Sequence, residues 1–213
     1  MIPPLCAPYS VADAAGGTMK PKPILLVSHC MLNTAAKVRY PGSTRRPPDE
    51  APRLTFLQYA LEQGVQLIQL PCPEFTLYGP SRWGHTREQF DNPFFRAHCR
   101  RLLEPVVRQL QAYLDPREGM YYRVLGVVGI EGSPSCGVSR TCSGPWGGEL
   151  SGRGDLFEAV GQVHSTPGMG VLMEELSELL AQAGIDLPMV GLDSRDIQPL
   201  YDLLNGTQEG RQS

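Results

Sequence analysis

Apolar residues occur along this chain in two textures, short unbroken runs and longer stretches in which they recur every three or four positions. Residues 23–28 hold a run of the first kind, Ile24-Leu25-Leu26-Val27, entered through Pro21 and Pro23. So short a run reads as a strand buried on both faces rather than as a helix. The same texture predicts strands over 65–70, 121–130 and 185–191. The second of these, with Val124, Leu125, Val127, Val128 and Ile130, is the most strand-like in the chain. Helical spacing fills the intervals. It runs over 51–63 (Leu54, Leu57, Tyr59, Ala60, Leu61), closed by Gly64 at the position of a C-cap glycine, then over 94–113, 169–184 and 197–204. In the second helix Arg96, Arg100, Arg101, Glu104 and Arg108 mark a polar face, and Pro105 is expected to kink or split it.

Strand, helix, strand, helix, strand, loop, helix, strand is the alternation of an α/β fold with an open parallel sheet and helices on both faces. Right-handed crossovers bring the carboxyl ends of the strands to one edge. The expected organisation is a flexible extension at 1–18, one domain over 19–204 and a frayed tail over 205–213. Three segments lack a sustained period, 33–50, 75–93 and 138–167. All three are expected as loops, the last with room for a short hairpin or helix.

Composition narrows the functional classes. Over 213 residues the formal charge is -3, which offers no basic surface for a long nucleic acid. The 20 prolines and 23 glycines make about a fifth of the chain, above an average near 12%, so the loops have specific shapes. There is no run of about 18 apolar residues to span a membrane, and residues 1–18 lack the basic start and apolar core of a secretory signal. A cytoplasmic protein is therefore expected. Its six cysteines then read as reduced thiols, metal ligands or catalytic groups rather than disulfides. No two are spaced as CxxC, so any site they form is assembled from distant segments.

Three cysteines share a setting. Cys30, Cys72 and Cys136 each follow a predicted strand within a few residues, where open parallel sheets hold their ligands. Pro71 and Pro73 stiffen the chain around Cys72, as do Pro134 and Gly137 around Cys136. A lone cysteine after a strand is commonly a small buried hydrophobe, but three in matching positions point to one site. Three thiolates favour a soft centre, an iron-sulfur cluster, zinc or copper, and leave one coordination position open. Ser133 and Ser135 are candidate donors to cluster sulfur or to an anion. Cys6 falls in the extension and Cys99 in a helix, whereas Cys142, in the loop close to Cys136, is the candidate fourth ligand.

The motifs Ser28-His29-Cys30-Met31-Leu32-Asn33, Pro71-Cys72-Pro73-Glu74 and Ser133-Pro134-Ser135-Cys136-Gly137, in that order, resemble the family of domain of unknown function 523, the thiouracil desulfurase-like proteins. The resemblance runs from about residue 22 to at least residue 150. It implies a Rossmann-like domain in which Cys30, Cys72 and Cys136 hold a 4Fe-4S cluster; the donor set by itself leaves zinc as the alternative metal. The resemblance further implies non-redox desulfuration of a small thiolated compound such as a thionucleobase, with Glu74 and Ser133 as the proton-handling residues. The alternative is a cluster- or zinc-containing sensor without turnover. Glu131 and Asp193 are lesser acid candidates, and His29 reads as a packing or supporting residue beside a ligand. Arg39, Arg45, Arg82 and Arg87 read first as solvated surface charges.

Overall fold

The first apolar run forms β1 (Lys22–Val27), the strand from which the sheet grows in both directions. The structure, a computed structural model, describes residues 20–39, 49–145 and 147–205. The extension at 1–18, Cys6, Arg45 and the tail beyond 205 lie outside the described residues. After β1 come α1 (His29–Leu32), a 3-10 turn (Thr34–Ala36), α2 (Glu50–Glu62), β2 (Gln66–Gln69), α3 (Pro73–Tyr78), α4 (Arg87–Phe90) and α5 (Pro93–Tyr113). There follow β3 (Tyr122–Ile130), β4 (Arg140–Ser143), α6 (Leu156–Gly161), β5 (His164–Pro167), α7 (Val171–Gln182), β6 (Met189–Leu192) and α8 (Gln198–Asn205).

Four strands form one parallel sheet in the order β2-β1-β3-β6. The expected α/β architecture, a single domain with helices on both faces, is therefore what the chain adopts. Alternation along β1 divides the core. Ile24 and Leu26 face α5 and α7, meeting Phe95, Leu103, Leu110, Leu172 and Leu176. Leu25 and Val27 face α2 and α8, meeting Phe56, Ala60, Leu200 and Leu203. Each large side chain fully buried in this way contributes about 1.5–3 kcal/mol, which is what holds such short strands together.

In β3 the alternation slips by one residue. Val124 and Val127 share a face although three positions separate them, because the pairing with β1 jumps from Ile24↔Val124 to Leu25↔Gly126. Gly126 absorbs this bulge with φ 152°, and a Cβ there would lie 2.5 Å from the carbonyl oxygen of Pro188. The order also creates a topological switch. From β1 the chain moves outward to β2 and then returns to β3 on the opposite side, so the crevice between the carboxyl ends of β1 and β3 is where such sheets bind ligands.

Some expectations need correction. Helix α5 runs unbroken through Pro105. Pro105 and Arg101, whose carbonyl loses its partner, are both on the exposed side, open to solvent, while Leu103, Val106, Val107 and Leu110 hold the other side to the sheet. The interval 75–93, expected as loop, carries α3 and α4, whereas 138–167 matches its expectation, holding the antiparallel pair β4–β5 with the short helix α6 between. Strand β6 begins at Met189 rather than 185, because Pro188 has no amide proton for the ladder. Arg87 is not a solvated surface charge. It pairs with Glu174 at 2.5 Å and Asp91 at 2.8 Å, in a network where Arg96 and Arg100 also bind Glu175, so α5 and α7 are fastened by charge above their apolar contact.

The bulge yields a direct test. Gly126→Val places a branched side chain against Pro188 at a φ that L residues rarely adopt, and it is expected to lower unfolding free energy by on the order of 2 kcal/mol or more. Denaturant unfolding of the variant measures this, and an unchanged midpoint would remove the bulge from the account.

Candidate functional site

Each of the three cysteines leaves the sheet differently. Cys30 lies in α1, the single turn that follows β1; its neighbour Met31 is fully buried, and the Met31 carbonyl accepts a 2.5 Å hydrogen bond from buried Arg53 of α2. Cys72 is the N-cap of α3, and its sulfur accepts from the amide of Phe75 at 3.4 Å. Pro73 at the first helical position and Glu74 in the first turn complete a helix start that follows directly from β2. Cys136 sits in the loop after β3.

That loop is fixed from several directions. The Ser133 hydroxyl accepts from the amides of Ser135 at 3.3 Å and Cys136 at 3.0 Å. The Glu131 carboxylate accepts from the amides of Ser139 at 3.1 Å and Arg140 at 2.7 Å, closing the loop's far end. Helix α7 has free amides at its N-terminus, as every helix does. Val171 donates to the Pro134 carbonyl at 3.0 Å and Leu172 to that of Ser135 at 2.9 Å. The approach is close enough that a Cβ on Gly170 would lie 2.5 Å from the Ser135 carbonyl carbon.

The three thiols act on one another. The neighbouring Cys72 thiol first, then burial and the charge of Cys136, raise the Cys30 pKa. Cys72 is shifted down, first by its neighbour Cys30 and then by the Phe75 amide and the charge of Arg82, against burial. Cys136 is pushed up to about 12, chiefly by burial, with Glu74 and Cys72 adding to it and the Ser135 hydroxyl opposing. Sites after three different strands thus converge in one crevice.

A carboxylate accompanies them. Glu74, 7% exposed, accepts from the Ser135 hydroxyl at 2.6 Å, and Ser135 Oγ lies 3.5 Å from the Cys136 sulfur. Its other oxygen meets Arg82 Nε at 3.1 Å, and Arg82 also donates to the carbonyls of Gly79 and Ala36, at 3.2 and 2.6 Å. Arg82 is therefore no solvated surface charge: its side chain is 3% exposed and ties the segment after Cys30 to the segment after Cys72.

The remaining candidates take structural places. Glu131 organises the loop, and Asp193 is paired with Arg140 at 2.5 Å and Arg195 at 2.9 Å. Cys142 donates to the His85 carbonyl at 3.4 Å, and Cys99 is fully buried in the apolar cluster that also contains Cys136. His29 stacks on Phe75, and Arg39 binds Pro80 O and Ser81 Oγ. Among the described residues no three His, Cys, Asp or Glu form a set that would hold a single metal ion. A hollow of about 640 Å³ over the α5–α7 ion network is lined by Arg87, Arg96 and Arg100 with their acidic partners and contains none of the thiols. Sequence reading missed the roles of Arg53 and Arg82, which no local spacing announces, while Ser135 was visible within its motif.

Fold and site together define an α/β protein that gathers three thiols and a buried carboxylate at the switch point of a parallel sheet. The chain is 36% identical over 120 residues to the uncharacterized protein MJ0003 of Methanocaldococcus jannaschii, across 56% of this chain and 70% of that one, and it belongs to that protein's family. No family profile matches it. Among solved structures it is similar to a 4Fe-4S-dependent thiouracil desulfidase, TudS (DUF523Vcz), with a TM-score of 0.42 and 21% identity, covering 87% of this chain and 99% of the other.

The Arg82–Glu74 pair is testable apart from any ligand. Removing one member of a buried pair leaves an uncompensated charge, so Arg82→Ala is expected to cost about 3 kcal/mol of stability, with part regained in the double variant with Glu74→Gln. Urea unfolding reads both. A loss below about 1 kcal/mol would mean that the pair is effectively solvated.

Proposed function

We propose that this protein is a desulfidase that removes sulfur from a small thiolated compound at an iron-sulfur cluster held by Cys30, Cys72 and Cys136. The observation that carries the reading is the convergence of three interacting thiols from the ends of three parallel strands, with the Glu74–Ser135 pair against one of them. The donor set fits such a group. Three soft sulfurs suit iron-sulfur chemistry, and a polynuclear centre takes each thiolate on a separate iron rather than around one ion. The order of the three cysteine motifs supports the same reading.

A 4Fe-4S cluster bound by three thiolates supplies one iron free to take a sulfur ligand. The chain's own groups then handle water and protons. Overall, a thiocarbonyl and water become a carbonyl and hydrogen sulfide, with no net electron transfer. We assign Glu74 Oε1 as the atom that accepts a proton from the attacking water and returns it to departing sulfur, with Ser135 as its hydrogen-bonded neighbour. Arg82 orients the carboxylate through its other oxygen. Ser133 accepts two amides and lies 3.4 Å from Ser135 Oγ, and we assign its hydroxyl proton to the substrate's heteroatom once substrate is bound. A carboxylate buried beside the thiols favours turnover over sensing, since a sensor has no need of a base there.

Reconstituted under anaerobic conditions, the chain is expected to turn brown and hold about four irons. Cys30→Ala, Cys72→Ala and Cys136→Ala should each lose colour and iron, while Cys99→Ala keeps both. Glu74→Gln should retain the cluster and release sulfide from a panel of thionucleobases about 100-fold or more slowly. Full cluster content in any one of the three cysteine variants would refute the ligand assignment. Wild-type protein that is fully loaded yet inert on the whole panel would refute the activity.

A further inference from the structure

Ser28 ends β1 at the switch point, and its backbone is committed on both sides. Its amide donates to Val128 O at 2.8 Å and its carbonyl accepts from Met31 at 2.8 Å. The residue is fully buried. It occupies the N-cap of α1, where a serine hydroxyl ordinarily accepts from an amide two or three residues on, yet it makes no such bond. No other group at hydrogen-bonding geometry satisfies its Oγ.

Strand alternation fixes where that hydroxyl points. Ile24 and Leu26 face the cluster that contains Cys136 and Val138, while Leu25 and Val27 face the opposite core. Ser28 continues the first series, so its hydroxyl faces the side of the sheet on which Cys136 is buried. The hydroxyl beside the Cys136 sulfur is spoken for, because Ser135 directs its proton to Glu74 at 2.6 Å. Ser28 is left with a proton to give and no acceptor, an arrangement that costs free energy unless something arrives to accept it.

We propose that Ser28 is the positioning donor for the bound centre: its hydroxyl hydrogen-bonds the ligated Cys136 sulfur, or the sulfide next to it, once the cluster is in place. This rests on the cluster reading above. Donation to a cluster sulfur draws charge off the metal and raises its potential, and such supporting contacts also hold the metal. The hydroxyl is thus unfavourable in the metal-free chain and favourable in the loaded one.

That opposition of sign gives the test, made on full-length Ser28→Ala and Ser28→Thr in metal-free and reconstituted forms. Metal-free Ser28→Ala should unfold at the wild-type urea midpoint or above it. Loaded Ser28→Ala should show a more negative reduction potential and release iron to a chelator roughly tenfold faster, while Ser28→Thr, which keeps the donor, should move both back toward wild type. A metal-free midpoint lowered as much as the loaded one, with potential and iron loss unmoved, would show a merely structural hydroxyl and overturn the proposal. Wild-type chain that takes up no cluster overturns the reading beneath it, and is distinguished by being seen before any variant is made.

Discussion

Burial and mutual proximity keep protons on Cys30 and Cys136, and the crevice is arranged around that difficulty. Three thiols so close cannot all ionise, because each thiolate raises the cost of the next in a medium that screens poorly. Cys72 alone is shifted down on balance, first by its neighbour Cys30 and then by the Phe75 amide and the charge of Arg82. The proposed metal centre would resolve the conflict, since it exchanges the protons for positive charge and makes burial an advantage.

The scaffold keeps the conflict in place. Without anchors, loops carrying such groups would open to water and let the thiols separate. Helix α7 prevents this for Cys136 by lending its N-terminal amides to the loop carbonyls, Arg53 steadies the turn of Cys30, and Arg82 joins the Cys30 and Cys72 segments through Ala36 and Glu74. These braces begin in well-packed parts of the molecule, so a site built from distant segments inherits the rigidity of the core.

Much of this was legible in the sequence, for identifiable reasons. Unbroken apolar runs announce strands buried on both faces, and the alternation with helices gives the parallel sheet, so three cysteines after three strands had to share one edge. Strand β6 and helix α5 were misjudged at their prolines, because the consequence of a proline depends on whether its neighbours face water or a ladder. Helix α3 did leave a signal in Cys72-Pro73-Glu74, an N-cap followed by proline and an acid. Arg82 left none. Its importance comes from a partner more than forty positions away, Ala36, and no local pattern records such a meeting.

The central claim is that three cysteines hold a cluster whose remaining iron is free for sulfur. Mössbauer spectroscopy of protein reconstituted with iron-57, recorded before and after addition of hydrosulfide, tests it most directly. The account predicts about four irons per chain, of which one, roughly a quarter of the signal, shifts when hydrosulfide is added. A spectrum that is unchanged, or in which all irons respond alike, would contradict it.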